Sequence, residues 1–151
     1  MKSKAVLLSL VAVLTLSACG GVDPNSPAGK RQAAFQEILK VSENLTGMFR
    51  GRINYDADKF RAGATELERL SHTPWQYFPK VQEGEQGRAS DEIWQRQEQF
   101  HELARDFEAA SLALMHSADA EPETQRRAEQ EKAMQRVEDS CKACHQVFRS
   151  Y

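Results

Sequence analysis

The sequence has no excess of charge of either sign, few cysteines and no long apolar run. Its 20 basic and 22 acidic residues give a formal net charge of −2, and without a basic stripe a nucleic-acid surface is not expected. The three cysteines include one closely spaced pair, whereas a structural zinc site needs four ligands. Neither a phosphate-binding glycine loop nor a strand pattern occurs. The 151 residues therefore suit one helical domain.

The longest apolar run is too short to cross a membrane and has the form of an export signal. Residues 5–16 are apolar and follow Lys2 and Lys4, but a transmembrane helix needs about 20 such residues. The run leads into Leu16-Ser17-Ala18-Cys19, which resembles a bacterial lipoprotein signal, in which the cysteine becomes the first residue and is acylated. We predict a lipoprotein signal peptide over residues 1–18 and lipidation of Cys19. An ordinary secretory peptide cleaved nearby is the alternative.

The residues after Cys19 predict a destination and a tether. Gly20 follows the cysteine, and no Asp is present there to resemble an inner-membrane retention signal. We therefore favour the outer membrane, with the protein facing the periplasm and its acyl chains embedded in lipid. Two prolines and three glycines between residues 20 and 29 predict a flexible tether over 19–29. Residues 30–151 are predicted to form the folded domain.

The most specific motif is Cys141-Lys142-Ala143-Cys144-His145, the spacing of a c-type haem attachment site. On a helix, positions i and i+3 share a face, so both sulfurs can bond to the two vinyl groups of one porphyrin. His145 follows Cys141 by four residues and can place a ring nitrogen on the iron. A redox Cys-x-x-Cys is the alternative, but it normally lies in a βαβ setting, which the sequence lacks. We predict one covalently bound haem c.

Four amphipathic helices are predicted from apolar residues at steps of three and four. They cover residues 27–50, 56–71 and 90–116, and a last segment that residues 119–122 cap and start. A longer aromatic-rich connection, residues 72–89, is expected to pack on the domain. These lengths predict an all-α, antiparallel, up-down-up-down four-helix bundle. In that topology, the haem on the last helix lies level with the starts of helices one and three and the end of helix two.

Beyond the haem motif, the sequence resembles the cytochrome c′ family over essentially the whole domain. The resemblance is carried by several landmarks in the correct order, namely Arg31-Gln32 with Phe35, Pro74-Trp75 with Phe78, Glu92-Ile93-Trp94, and Arg149. The family is built on a four-helix bundle and holds a high-spin haem. The resemblance implies that Cys141 and Cys144 bond the haem and that His145 is the sole protein ligand of the iron.

The resemblance also implies roles for four further residues. Arg31 and Gln32 are expected beside the haem edge, with Arg31 near a propionate. Phe35 is expected to cap the vacant face of the iron; this position is often Leu in the family, so Phe predicts a tighter pocket. Arg149 is expected in the proximal pocket near His145. The segment 88–90 is expected to pass near the haem.

A six-coordinate electron carrier would need a second ligand, and the sequence offers none within reach. Met48 lies about 20 Å along the helix from Phe35, and Met134 about 10 Å before Cys141. Met115 ends the third helix at its far end. His72 remains as the one alternative ligand, although an exposed histidine at the start of a loop is the favoured explanation.

The expected function is therefore binding of NO, with CO as a second gaseous ligand, at a five-coordinate haem. Without an evident nucleophile–base pair, classical enzyme activity is not expected. An electron-transfer cytochrome with a respiratory redox partner is the main alternative, and a binding module without haem is the third. The family resemblance implies a homodimer through the first two helices. Gly47 and Gly51 would either admit a second backbone there or mark the end of helix one.

Overall fold

The structure is a computed structural model that describes residues 22–79, 87–120 and 122–150. The predicted signal peptide and Cys19 lie outside these residues, so lipidation stays a prediction. Within the described ranges, no helix is both long and apolar enough to span a membrane.

In the described ranges the domain consists of four long helices, with one short α-helix and one 3₁₀ turn between them. In chain order they are α1 (Pro27–Phe49), α2 (Ala57–Ser71), the 3₁₀ turn (Pro74–Tyr77), α3 (Glu92–Gln95), α4 (Gln97–Ser117) and α5 (Glu123–Phe148). Along the bundle α1 packs on α2, α2 on α4, and α4 on α5. The predicted all-α four-helix bundle is confirmed.

The first two helices begin where their local sequence predicts. The Ser26 side chain accepts a hydrogen bond from the Gly29 N–H at 3.0 Å, and Pro27 occupies the first turn. The Asp56 carboxylate accepts from the N–H groups of Asp58 and Lys59. Each cap satisfies backbone donors that would otherwise have no partner within the helix.

Contacts at the end of α1 account for Gly47 and Gly51 without a second copy of the chain. Gly51 has a φ of +68°, the left-handed conformation that ends many helices. The chain then folds back, and the N–H groups of Arg52 and Ile53 donate to the Gly47 carbonyl at 2.9 and 3.1 Å. A Cβ on Gly47 would lie 2.9 Å from the Ile53 Cδ1 atom. These glycines therefore end the helix and make room for Ile53.

The third predicted helix is broken, contrary to expectation. Arg96, with φ −125° and ψ 47°, separates α3 from α4. Asp91 is the residue before α3, but the predicted Ser90 still contributes at this end, because its hydroxyl accepts from the Glu92 N–H at 3.3 Å. Its own N–H donates to the Phe148 carbonyl at 2.9 Å. The Trp94 indole also donates to the Pro79 carbonyl at 2.9 Å. Contacts distant in sequence thus orient α3, and the break at Arg96 lets α4 follow the bundle.

The last helix starts at the predicted segment 119–122, but without a side-chain cap. Pro122 is the N-cap residue of α5, and no side chain caps that end. Asp119 lies in the preceding turn, where its Oδ1 atom pairs with the Arg61 guanidinium at 2.9 Å. A contact across the bundle therefore takes the carboxylate that was expected to cap the helix.

The hydrophobic core consists of two clusters. The bundle cluster fills the space between the long helices and includes Leu45, Phe60, Leu67, Leu114 and Val137. The end cluster is smaller and is formed by Ile93, Phe100 and Phe148. Trp75 packs against both clusters, so the described part of the connection after α2 is packed on the domain as expected.

A polar contact sets the register between α1 and α5. The Thr46 hydroxyl donates to Glu138 Oε1 at 2.8 Å, and the Arg50 guanidinium donates to both Glu138 oxygens at 3.0 and 3.1 Å. Phe35 precedes Thr46 by about three helical turns, and Phe148 follows Glu138 by a similar rise. The start of α1 therefore lies level with the end of α5, as the predicted topology requires.

Candidate haem site

The two cysteines of the motif lie on one side of α5, at the border between the core clusters. Cys141 packs against the bundle cluster and Cys144 against the end cluster, and both are free and partly buried. Burial, together with the neighbouring Cys144 and Glu138, raises the pKa of the Cys141 thiol to about 11. Burial also raises the pKa of Cys144. Both thiols are therefore uncharged at neutral pH and face the same region of the protein.

His145 follows directly and lies at the surface of the last full turn. Although the residue is exposed, the protein atoms around its ring displace enough water to lower its pKa, and the positive charge of Arg149 adds to this. The imidazole is therefore neutral at pH 7 and keeps a lone pair, which is the form that binds a metal.

The segment before α3 is joined to the end of α5 by main-chain hydrogen bonds. Ala89 and Arg149 form an antiparallel bridge. The Ser90 N–H donates to the Phe148 carbonyl and the Ser150 N–H donates to the Arg88 carbonyl, both at 2.9 Å. We refer to this pairing as the backbone clasp. It places segment 88–90 beside the haem motif, where no single residue could be assigned from the sequence.

Arg31 is held firmly near the start of α1. It is 5% exposed, its Nη1 donates to the Tyr77 carbonyl at 3.0 Å, and its guanidinium lies 4.4 Å from the centre of the Phe78 ring. This combines a hydrogen bond with a cation–π contact. Gln32, the next residue, is exposed.

Phe35 begins a series of aromatic contacts that reaches α5. Its ring meets Trp75 edge-on at 5.9 Å between centroids, Trp75 meets Phe100 at 5.9 Å, and Phe100 meets Phe148 at 5.5 Å. Edge-to-face geometry is a favoured arrangement of aromatic rings. We call Phe35, Trp75, Phe100 and Phe148 the aromatic wall. It connects the predicted cap of the iron to the last turn of the haem helix.

One feature of the wall was missed from the sequence. The Trp75 Nε1 atom is buried and has no hydrogen-bond partner among the described residues, whereas the Trp94 indole has one. Buried polar groups in folded proteins nearly always have partners. The Pro74-Trp75 landmark signalled an aromatic at this position but not the state of its N–H group.

The alternative iron ligands lie elsewhere. Met48 and Met134 are buried in the bundle cluster. His72 is exposed and bridges two helices, because its Nε2 lies 3.1 Å from Glu68 and its Nδ1 lies 3.3 Å from Glu108. Both nitrogens of His72 are thus next to carboxylates. In the described ranges, no three His, Cys, Asp or Glu residues come together as a metal site.

The chemistry of these groups fits a covalently attached haem. Two uncharged thiols on one face of α5 match two thioether bonds, and the neutral imidazole of His145 matches an axial ligand. Arg31 supplies a cation for a carboxylate, and Phe35 supplies an apolar surface. The roles expected for Cys141, Cys144, His145, Arg31, Gln32, Phe35 and Arg149 stay predictions.

Known proteins resemble the chain along nearly its whole length. A sequence model of the cytochrome c′ family matches residues 26–149. Cytochrome c′ of Alcaligenes xylosoxydans xylosoxydans is 32% identical over 126 residues, which cover 83% of this chain and 94% of the relative.

Solved structures agree. Cytochrome c prime from Shewanella frigidimarina has a TM-score of 0.77 and 25% identity, and the match covers 87% of this chain and 100% of that one. The nitric oxide complex of a leucine-to-alanine mutant of cytochrome c prime from Alcaligenes xylosoxidans has a TM-score of 0.75 and 27% identity, covering 87% and 99%. With its fold, its haem motif and these relatives together, the chain belongs to the cytochrome c′ family, whose cofactor is a covalently bound haem c.

Proposed function

We propose that this chain is a lipid-anchored cytochrome c′ that binds nitric oxide at a five-coordinate haem on the periplasmic side of the membrane. His145 is the sole protein ligand of the iron, and Phe35 covers the opposite face. The haem iron supplies the gas-binding chemistry. The side chains around the iron restrict which ligands reach it. By binding NO, the protein lowers the concentration of free NO.

The observation that carries this proposal is the position of Phe35 in the aromatic wall. Its ring is supported edge-on by Trp75, which is itself packed against Phe100 and Phe107. A ligand entering on this side has to displace Phe35, and the wall behind the ring resists that movement. Small ligands that bind ferrous iron strongly are therefore favoured over weak or bulky ones.

The register of the helices and the other candidate ligands support the same assignment. The Thr46–Glu138 contact brings Phe35 to within about one turn of the level of His145. Met48 and Met134 are buried in the bundle cluster, and His72 is paired with Glu68 and Glu108. Solved complexes of Alcaligenes xylosoxidans cytochrome c prime variants with nitric oxide and carbon monoxide support these gases as the ligand class.

The test is absorption spectroscopy of the haem-loaded protein, followed by NO and CO titrations. We expect a mainly high-spin resting spectrum and a weak affinity for CO that increases in Phe35→Ala. Phe49→Ala is the matched control, because Phe49 is a partly buried phenylalanine at the other end of α1, against Phe60. A low-spin, six-coordinate resting spectrum contradicts the proposal, as does an unchanged CO affinity in Phe35→Ala.

Electron transfer is the second candidate, and the exposure of His145 favours it because an iron ligand at the surface shortens the path to a redox partner. A deletion strain distinguishes the two functions. Increased sensitivity to NO supports gas binding, whereas unchanged sensitivity with fast electron exchange supports a carrier.

The membrane anchor is tested separately. We expect the mature protein to incorporate labelled fatty acid and to fractionate with the outer membrane. A Cys19→Ser variant should lose both properties while keeping its haem. Release of the unmodified wild-type protein into the soluble periplasm contradicts the anchor and leaves the gas-binding proposal unaffected. The expected homodimer is tested by sedimentation of the haem-loaded protein, and Leu39 on α1, 56% exposed, is the apolar side chain to replace.

A further inference from the structure

Trp75 is the residue that links the two ends of the haem site. It packs against both core clusters, and the two motif cysteines are divided between the same clusters, with Cys141 on one and Cys144 on the other. A porphyrin bonded to both thiols would therefore lie at the border between the two clusters, where Trp75 also packs.

The indole of Trp75 carries a donor that the described residues leave unused. Its Nε1 atom is buried without a hydrogen-bond partner. Leaving such a donor unpaired costs free energy, because water is lost and nothing replaces it. Trp94 provides an internal comparison, since its Nε1 donates to the Pro79 carbonyl at 2.9 Å. The unused donor of Trp75 points to an acceptor that arrives with the cofactor.

The chemistry of haem limits what that acceptor is. Its two propionates lie on the porphyrin edge opposite the two vinyl positions. Because the two cysteines of α5 would hold the vinyl edge, the propionate edge would face away from α5, toward the elements on the other side of the site. Those elements are α1 and the connection after α2, which pack against each other. Arg31 and Trp75 come from these two elements.

Arg31 and Trp75 are also joined to the same short segment. The Arg31 guanidinium binds the Tyr77 carbonyl and lies over the Phe78 ring, two and three residues after Trp75. The segment 75–78 thus carries the buried N–H donor of Trp75 and also contacts the cation of Arg31. This pairing suits a carboxylate, because charge-assisted hydrogen bonds to an anion are the strongest that a protein makes.

We propose that the Trp75 indole N–H donates a hydrogen bond to a haem propionate and, with Arg31, fixes the orientation of the haem in its site. Trp75 is therefore a positioning residue. The proposal rests on the covalent haem and not on NO binding. A negative result for NO binding would therefore not affect the proposed role of Trp75, and a negative result for Trp75 would not affect NO binding.

The experiment is resonance Raman spectroscopy of the ferric, haem-loaded protein, read at the propionate bending bands. We expect these bands to shift in Trp75→Phe, which keeps an aromatic ring and removes the donor. Trp94→Phe is the matched control, because its indole is already satisfied by Pro79, and its bands should match the wild type. Unshifted bands in Trp75→Phe overturn the proposal, and so do equal shifts in both variants.

A gas molecule bound to the iron is another candidate acceptor for the Trp75 N–H, and it has to be distinguished from the propionate. In the Phe35→Ala background with CO bound, adding Trp75→Phe should leave the C–O stretching band unchanged. A shifted C–O band with unshifted propionate bands overturns the proposal and assigns the donor to the gas.

Trp94→Phe provides a second test if Trp75→Phe does not fold. The chain has two tryptophans, so Trp94→Phe leaves Trp75 as the single reporter. Ultraviolet resonance Raman of that haem-loaded variant should show a hydrogen-bonded indole, and a free indole overturns the proposal.

Discussion

The hydroxyl of Thr46 lies 2.8 Å from a carboxylate oxygen of Glu138, and Glu138 precedes the first haem cysteine by one helical turn. The contact joins residues 92 apart in the chain, and Thr46 is buried. It therefore aligns the helix that carries Phe35 with the helix that carries His145.

Removing this hydroxyl should weaken the bundle. We expect Thr46→Val to lower the free energy of unfolding by about 1 kcal/mol, because one hydrogen bond to a carboxylate is lost while Arg50 still binds it. Urea unfolding of the haem-loaded protein measures the change. Thr65→Val is the control, since the Thr65 hydroxyl is exposed and donates only to the carbonyl of Arg61. Equal losses in both variants contradict a specific role for the contact.

The bridge made by His72 should make stability depend on pH. The hydrogen bond that His72 donates to Glu68, with the charge of Glu108, raises the pKa of His72 above its usual 6.5. The folded state therefore binds this proton more tightly than the unfolded state, so the stabilisation is complete below the unfolded pKa and is lost as pH rises through the raised folded pKa.

Melting temperatures between about pH 5 and pH 9 measure this effect. We expect the difference between wild type and His72→Gln to be largest at the acid end and to vanish at the alkaline end. Glu108→Gln should reduce the difference. A constant difference across this pH range contradicts the assignment.

Arg31 should contribute to stability as well as to the haem site. Arg31→Leu leaves the Tyr77 carbonyl without its donor and removes the contact with Phe78. We expect a loss of about 2–3 kcal/mol in the free energy of unfolding, measured by urea denaturation. Lys30→Ala should change little, because Lys30 is the exposed neighbour on the same helix. Arg31→Lys should recover only part of the loss, since lysine lacks the planar guanidinium.

We expect Cys141 and Cys144 to attach the haem and Cys19 to carry the lipid. Replacing both Cys141 and Cys144 by alanine should abolish covalent haem, so that acidified organic solvent extracts any haem that remains bound. Wild type and Cys19→Ser should keep their haem under the same treatment. Mass spectrometry of the intact chains gives the readout, and a protein that retains covalent haem without Cys141 and Cys144 contradicts the attachment site.

The elements that depend on local sequence could be predicted, and those that depend on distant contacts could not. Ser26 and Asp56 cap their helices through neighbours within three residues, so the pattern alone located both helix starts. Asp119 was expected to act in the same way, but Arg61, distant in sequence, binds it. The break at Arg96 has no proline or glycine to announce it, since contacts from Phe148 and Pro79 orient α3.

In the candidate site, too, the features set by local sequence could be predicted and those set by distant contacts could not. The spacing of Cys141, Cys144 and His145 on one helix predicts that they act together, because helical geometry fixes their relative positions. The contact of Phe35 with Trp75, and the buried N–H of Trp75 itself, arise only when α1 meets the connection after α2. Sequence could name these residues through a family resemblance, but not the wall that they build.

The backbone clasp has a consequence for how motion spreads through the protein. It is made by main-chain atoms of residues 88–90 and 148–150, so it does not depend on which side chains occupy these positions. When the last turn of α5 shifts, segment 88–90 is pulled with it, and α3 and the Trp94 indole follow. The haem helix is therefore coupled to α3 through main-chain hydrogen bonds, and a substitution in the clasp breaks one of them only if it removes a main-chain N–H, as proline at Ser90 or Ser150 would.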